Sequence, residues 1–290
     1  MERSTPLIQL IDTTTALFPL LLLLSNIQDD PTSTPQIYIA LEGINVCRHG
    51  TISLLTLFFT PSNTIYLIDI HKLGLSAFTT TLERSTISLK NMLESFSIRK
   101  AIFDVSNPSD ALFALFGITL SGISDLQLME NASRDDTKRI LFRLSKCIEH
   151  DSPLNHAEKL EWKIQKARAA LLFDPSQGGR HQVFNERPLK QEMINYCAGN
   201  VELLPGLYAV YNDKLNAYWQ RKVERATASR ISKSRGKNYN PHSRDNGLGP
   251  WRNEHRREYM QVYRKYGSDD DTMDSYDRRE RERKENAGCL

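Results

Sequence analysis

The sequence predicts an α/β domain, a mixed sheet flanked by helices, with a basic C-terminal extension. Three observations predict it. Of 290 residues, 40% are hydrophobic and 25% charged, ordinary globular proportions that exclude a wholly disordered chain. Three runs rich in Ile, Leu, Phe and Tyr, at 36–41, 51–59 and 64–70, are separated by Gly or Pro-Ser-Asn punctuation, the pattern of a meander. Beyond them, strand-like and helix-like segments alternate. Single cores stop growing near about 250 to 300 residues, so the length fits one large domain with an appendage.

Taken in order, residues 7–12 read as a short strand, and Thr13 or Thr14 can cap the helix that carries the Leu run toward Ile27. The most apolar stretch, 16–24, contains Pro19 and is too short to span a bilayer. It lacks the basic flank of a leader peptide, since Arg3 is offset by Glu2, and it is expected to be a buried helix. Pro31 and Pro35 bound a turn before the meander. A helix is expected at 88–95, a buried strand at 100–105, and a helix at 109–116 stopped by Gly117. Asn155 and Glu158 form a capping-box pair for a charged helix running to about Leu172, broken at 175–179.

Pro188 is placed to open the next helix at its favoured first position. Its apolar stripe is Leu189, Met193, Ile194, Cys197, Val201 and Leu204, ending before Pro205. A further helix is expected over 207–227, then an extended basic linker over 230–250. Tyr259, Val262, Tyr263 and Tyr266 repeat at helical spacing and predict a short amphipathic helix flanked by Arg256, Arg257, Arg264 and Lys265. The acidic run 269–271 and the Arg/Glu alternation after it read as low-complexity, disordered or frayed.

The overall charge of +3 hides an asymmetry. Residues 220–268 carry 13 Lys/Arg against 4 acids, whereas residues 1–219 carry 20 against 23. A cationic appendage on a mildly acidic globule points to a polyanionic partner; a solvated charged tail is the alternative. Cys47, Cys147, Cys197 and Cys289 lie far apart with no C-x-x-C and no His at metal spacing, which indicates neither a zinc module nor a disulfide framework. A reducing, intracellular compartment, cytoplasmic or nuclear, fits that usage, with no membrane association expected.

Three blocks taken together carry a resemblance. The first is IYIALEG at 37–43 followed by RHGTIS at 48–53. The second is KAIFDVSNPSDAL at 100–112, with Asp125, Leu126 and Gln127 after it. The third is YCAGNV at 196–201. In this order they resemble the motifs of the DEDDy-type 3'-5' exonucleases, and most of all the eukaryotic 3'-5' exonuclease domain-containing proteins, more distantly ribonuclease D and the Werner-type domain. The resemblance covers about residues 6–220, leaving 221–290 as the basic, partly disordered extension. It implies a ribonuclease H-like mixed sheet of five or six strands with the site at the sheet's edge.

It also implies chemistry by two hard divalent cations, one helping to form the attacking hydroxide and one stabilising the leaving oxygen, held by carboxylate oxygens. The period of two on a strand brings the acids of Asp-x-Glu to one face, and Tyr-x-x-x-Asp brings phenol and carboxylate to one face of a helix. Glu42 and Tyr196 occupy such positions. Ala40 stands where the resemblance implies the first Asp, Pro108 where it implies the second-motif Asp, and Asn200 where it implies the third. Thr56 stands where many relatives have Gln. Asp110 lies about 200° around a helix from Pro108, although a register making it the second-motif acid stays open, and Asp104 reads as a ligand or as a turn-stabilising carboxylate.

The resulting expectation is a catalytically inactive nucleic-acid-binding member of the exonuclease family, with Glu42, Tyr196 and Asn200 as a vestigial site and Glu42 a weak metal ligand or none. Arg48 and His49 could contact a phosphate or hold a surface loop. Arg256, Arg257, Arg264 and Lys265 are the candidate contacts of the extension, whose tyrosines suit either base stacking or packing. Single-stranded nucleic acid, RNA in preference to DNA, is the expected partner, with a protein partner for the extension as a further option. No cofactor is expected, and Mg2+ or Mn2+ if activity is retained. Two alternatives stay open: a residual two-metal 3'-5' exonuclease, and a protein-interaction scaffold.

Overall fold

The computed structural model describes residues 4–27, 30, 34–82, 87–135 and 137–252. Its centre is a six-stranded sheet built from β1 (Leu7–Ile11), β2 (Ile37–Glu42), β3 (Leu54–Phe59), β4 (Thr64–Asp69), β5 (Lys100–Ile102) and β6 (Ile123–Asp125). The strand order is β1-β4-β3-β2-β5-β6. β2, β3 and β4 form the expected antiparallel meander, with Ala40 opposite Thr56 and Thr56 opposite Leu67. β1 joins β4 in parallel, and β5 and β6 extend the other side in parallel from β2. The mixed sheet is therefore as the sequence predicts.

The helices are α1 (Thr14–Ser25), α2 (Ile70–Leu73), α3 (Ser76–Thr79), α4 (Leu89–Glu94), α5 (Ser106–Phe116), α6 (Leu126–Ser133), α7 (Leu144–Asp151), α8 (His156–Phe173), α9 (Gln191–Val201), α10 (Leu204–Lys214) and α11 (Ala217–Ser234). Among the described residues no helix is long and apolar enough to cross a membrane. Alternation along the strands divides the core between the two faces. Ile37, Ile39, Leu55, Leu57 and Ile68 meet α1, whose Leu17, Leu20, Leu21 and Leu24 are buried. Each such leucine contributes about 1.5–3 kcal/mol. Tyr38, Leu54, Phe58, Ile65, Leu67 and Ala101 meet the other layer, where α9 and α10 supply Cys197, Val201, Leu207 and Tyr211.

Several predicted boundaries hold. Thr13 caps α1, accepting the N–H of Ala16, and Gly117 ends α5 in the left-handed conformation. Asn155 and Glu158 make both bonds of the capping box at α8. Four expectations are corrected. Helix α5 starts at Ser106 rather than 109, because β5 stops at Ile102 and Asp104 turns the chain with φ of 61°. Pro188 does not open α9: it follows a cis peptide bond, and the helix starts at Gln191. The segment before it is tied down elsewhere, through Arg187 on Asp69 and Asn185 on the Ser53 hydroxyl at 2.6 Å.

The helix expected at 207–227 is two helices. Leu215 is extended and buried, and Asn216 caps α11 by accepting the N–H of Trp219 at 3.0 Å. Nor is 230–250 an extended linker. Helix α11 runs through position 220, packs on α5, α6 and β6, and ends at Ser234. The chain after it returns to the domain: Leu248 bridges Ile140, Gly249 N–H donates to Arg139 O at 2.8 Å, and Trp251 packs edge-on to Trp219. A Cβ at Gly249 would lie 1.9 Å from the Lys138 carbonyl, so only glycine fits that close approach. The amphipathic helix expected at 254–266 and the low-complexity run after it lie outside the described residues.

Candidate functional site

Glu42 is the last residue of β2, and the two-residue period puts it on the face that carries Tyr38 and Ala40, under α9. Helix α9 crosses β2, β3 and β4 and presents Tyr196 and Asn200, one turn apart, toward that strand. Asn200 Nδ2 donates to Glu42 Oε1, so the structure brings all three of these predicted residues together. Glu42, Tyr196 and Asn200 are each half-buried. Phe173 and Phe184 pack on the Tyr196 ring, with centroids 4.9 and 6.3 Å away, and fix its plane.

A fourth residue completes the cluster. Lys166, from α8, donates its ammonium to Asn200 Oδ1 and, at 2.8 Å, to the Tyr196 carbonyl. The same nitrogen lies 4.0 Å from the Tyr196 ring centroid and 5.4 Å from that of Trp162. Trp162 is in turn anchored by its indole N–H on Gly199 O at 3.1 Å. Sequence reading missed Lys166. It belongs to a helix rich in Lys, Glu and Ala where any lysine reads as solvent-facing, and only its spacing four residues after Trp162 hints that its stem is covered.

Burial dominates the electrostatics here. It pushes the Glu42 carboxyl up to about 7, opposed by the Lys166 charge and the Asn200 hydrogen bond. It pulls Lys166 down to about 8, opposed by Glu42. The Tyr196 phenol is raised, first by burial and then by the Glu42 charge, and burial raises the Cys197 thiol well above its ordinary value. Neither is poised to ionise near neutral pH.

Two divalent cations do not fit this residue set. Among the described residues no group of three or more His, Cys, Asp and Glu side chains could hold a metal ion. Ala40 brings no ligand atom to the shared face, and Pro108 lies in the first turn of α5. The other acids named from sequence are committed elsewhere. Asp110 is buried and accepts from Arg48, at 2.7 Å from Nε and 2.8 Å from the backbone N–H. Asp125, also buried, accepts the N–H groups of Asp104, Val105 and Gln127 and pairs with Arg230 Nη1 at 2.6 Å. Asp104 lies 3.6 Å from the same Arg230 nitrogen.

Of the predicted nucleic-acid contacts, Arg48 and His49 lie within the described residues. Arg48 is engaged within the fold: beyond Asp110, its Nη2 donates to Ser234 O at 2.6 Å and Gly236 O at 2.9 Å, closing the C-terminus of α11. His49 beside it is exposed. Arg256, Arg257, Arg264 and Lys265 lie outside the described residues. Arg230, counted in the basic segment, is neutralised by Asp125, whereas Arg221 and Arg225 on α11 are exposed.

No family model matches the chain. Over 92 residues, 32% of its length, it is 36% identical to the piRNA biogenesis protein EXD1 of Mus musculus and likewise to that of Homo sapiens. The match spans 15% and 16% of those two proteins. Among solved structures, Trypanosoma brucei RNase D with GMP superposes with a TM-score of 0.65 at 18% identity, covering 86% of this chain and 71% of that one. The same enzyme with RNA U12 gives 0.60 at 19% identity, covering 80% and 71%. Escherichia coli RNase D gives 0.52 at 18% identity, covering 79% and 51%.

Proposed function

We propose that this chain, which has the ribonuclease D-like 3'-5' exonuclease fold and is distantly homologous to EXD1, is a catalytically inactive member of that group that binds single-stranded nucleic acid. The observation that carries the reading is the makeup of the Glu42 cluster. One carboxylate, one carboxamide and one ammonium stand where the motif resemblance implies four acids, with Ala40, Pro108 and Asn200 as the replaced positions. Hard divalent cations need several oxygen ligands in near-octahedral order, and a lone carboxylate already bonded to an amide does not provide them. Fold alone does not supply the missing ligands.

RNA is the preferred partner. The fold likeness includes an RNase D solved with RNA, which supports that preference without transferring it. The exposed Arg221 and Arg225 of α11 are the described residues suited to electrostatic contact, and the sequence after 252 carries further Lys and Arg. The experiment is a titration of the full chain with single-stranded RNA and DNA in EDTA and in Mg2+, beside a degradation assay on the same strands. Equal, salt-sensitive binding in both conditions with no shortening of the strands supports the reading. Metal-dependent shortening that disappears in Glu42→Ala returns the chain to the two-metal exonucleases. Exposed Leu160 and Leu171 on α8, 50% and 58% accessible, favour a protein-interaction scaffold as the second reading, and absence of binding to either strand would select it.

A further inference from the structure

We propose that Lys166 is the resident cation of this site: its ammonium takes the place of a divalent ion between Glu42, Asn200 and the Tyr196 carbonyl, and it excludes such an ion. The inference rests on reading the Glu42 cluster as the counterpart of the exonuclease metal site. It goes further by assigning a positive cause to the loss of metal, rather than the absence of acids alone.

The hydrogen-bond chemistry fixes the arrangement. An ammonium has only donors, so the atom of Asn200 that faces Lys166 is its carbonyl oxygen, and the carboxamide nitrogen is left to donate to the Glu42 carboxylate. Asn200 is thus a neutral relay with its acceptor on the cation and its donor on the anion. An aspartate there has no proton to give Glu42 and sets two carboxylates against each other. An asparagine without Lys166 loses the cation on its oxygen. Positions 166 and 200 are matched to each other.

The ammonium is held from several sides: the Tyr196 carbonyl at 2.8 Å, the Asn200 oxygen, the Tyr196 ring at 4.0 Å and the neighbouring Glu42 charge. The Trp162 ring, one turn earlier on α8, lies 5.4 Å from the same ammonium and adds a second aromatic face beside it. A divalent ion entering here would meet an ammonium among its intended ligands and find Asn200 Oδ1 already occupied. Like charges at that separation in a partly desolvated site repel strongly.

The test measures Mn2+ uptake, by titration calorimetry and by the Mn2+-dependent rise in melting temperature, on the full chain and its variants. Wild type is expected to show no saturable uptake. Ala40→Asp with Asn200→Asp, keeping Lys166, is expected to remain without it, and adding Lys166→Met is expected to produce it. Saturable uptake by wild type overturns the proposal. So does equal behaviour of the aspartate pair with and without Lys166→Met, whether both bind or neither does. Should the triple variant not fold, Lys166→Gln replaces Lys166→Met in the aspartate pair and the same comparison decides: Mn2+-dependent stabilisation that appears only without the lysine upholds the proposal, and equal behaviour with and without it overturns it. Failure here is separable from failure of the RNA reading. A wild type that binds RNA in EDTA and also takes up Mn2+ overturns the lysine and leaves the RNA partner standing, and one that takes up no Mn2+ and binds no RNA overturns the partner alone.

Discussion

Arg48→Met is expected to destabilise the fold while leaving RNA affinity of the folded protein nearly unchanged. The side chain is 18% exposed and its partner Asp110 only 1%, so removing the guanidinium strands a buried carboxylate whose remaining acceptor bond is the Arg48 backbone N–H. Breaking one side of such a pair costs about 3–5 kcal/mol. The carbonyls of Ser234 and Gly236 lose their donor as well, loosening the end of α11. In a domain of this size each kcal/mol moves the melting temperature by about 2–4 °C, so the drop should be on the order of 6–20 °C. Thermal and urea unfolding read it, and a single-strand titration on the same samples below the transition reads affinity. Adding Asp110→Leu should recover most of the loss, because an apolar pair of similar volume replaces an ion pair at little cost. A melting temperature within about 2 °C of wild type together with a roughly tenfold weaker RNA affinity would refute the structural role and make Arg48 a phosphate contact.

Other consequences follow the same logic. Glu42 has a folded pKa raised from 4.5 to about 7, so the native state holds that proton longer than the unfolded chain. Its stability contribution is intact below 4.5 and falls as pH rises through 7. Urea midpoints of wild type should decline across that window relative to Glu42→Gln, and parallel curves would contradict the burial of the carboxyl. Asp125→Ala removes the acceptor of four N–H groups and of Arg230, and should cost more than about 4 kcal/mol, read by urea unfolding. Asn216→Ala should cost about 1 kcal/mol by uncapping α11, visible in the same assay. Ending the chain at 252 should keep the fold and lower RNA affinity, whereas ending it at 220 should unfold the protein, because α11 packs across α5, α6 and β6. Arg221→Ala with Arg225→Ala should reduce the slope of log affinity against log salt by about 1.4 if each meets one phosphate.

The sequence by itself determined what depends on local periodicity and on residue type. Alternation at 37–42 places Glu42 on a definite face, spacing of four places Tyr196 and Asn200 on one side of a helix, and Asn155 with Glu158 starts α8 where predicted. Ala40 and Asn200 likewise stand, on the sequence alone, where the motif resemblance implies carboxylates. Tertiary structure decided everything that depends on which charge meets which. Lys166 and Glu42 are distant in sequence, as are Arg48 and Asp110, and Arg230 and Asp125, and no period relates them. It also decided that part of a basic segment is neutralised inside the fold, so that summed charge along the chain overstated what a polyanion can reach. The physical reason is that buried ions must be paired, and the partner is chosen by packing across the sheet rather than by neighbours along the chain.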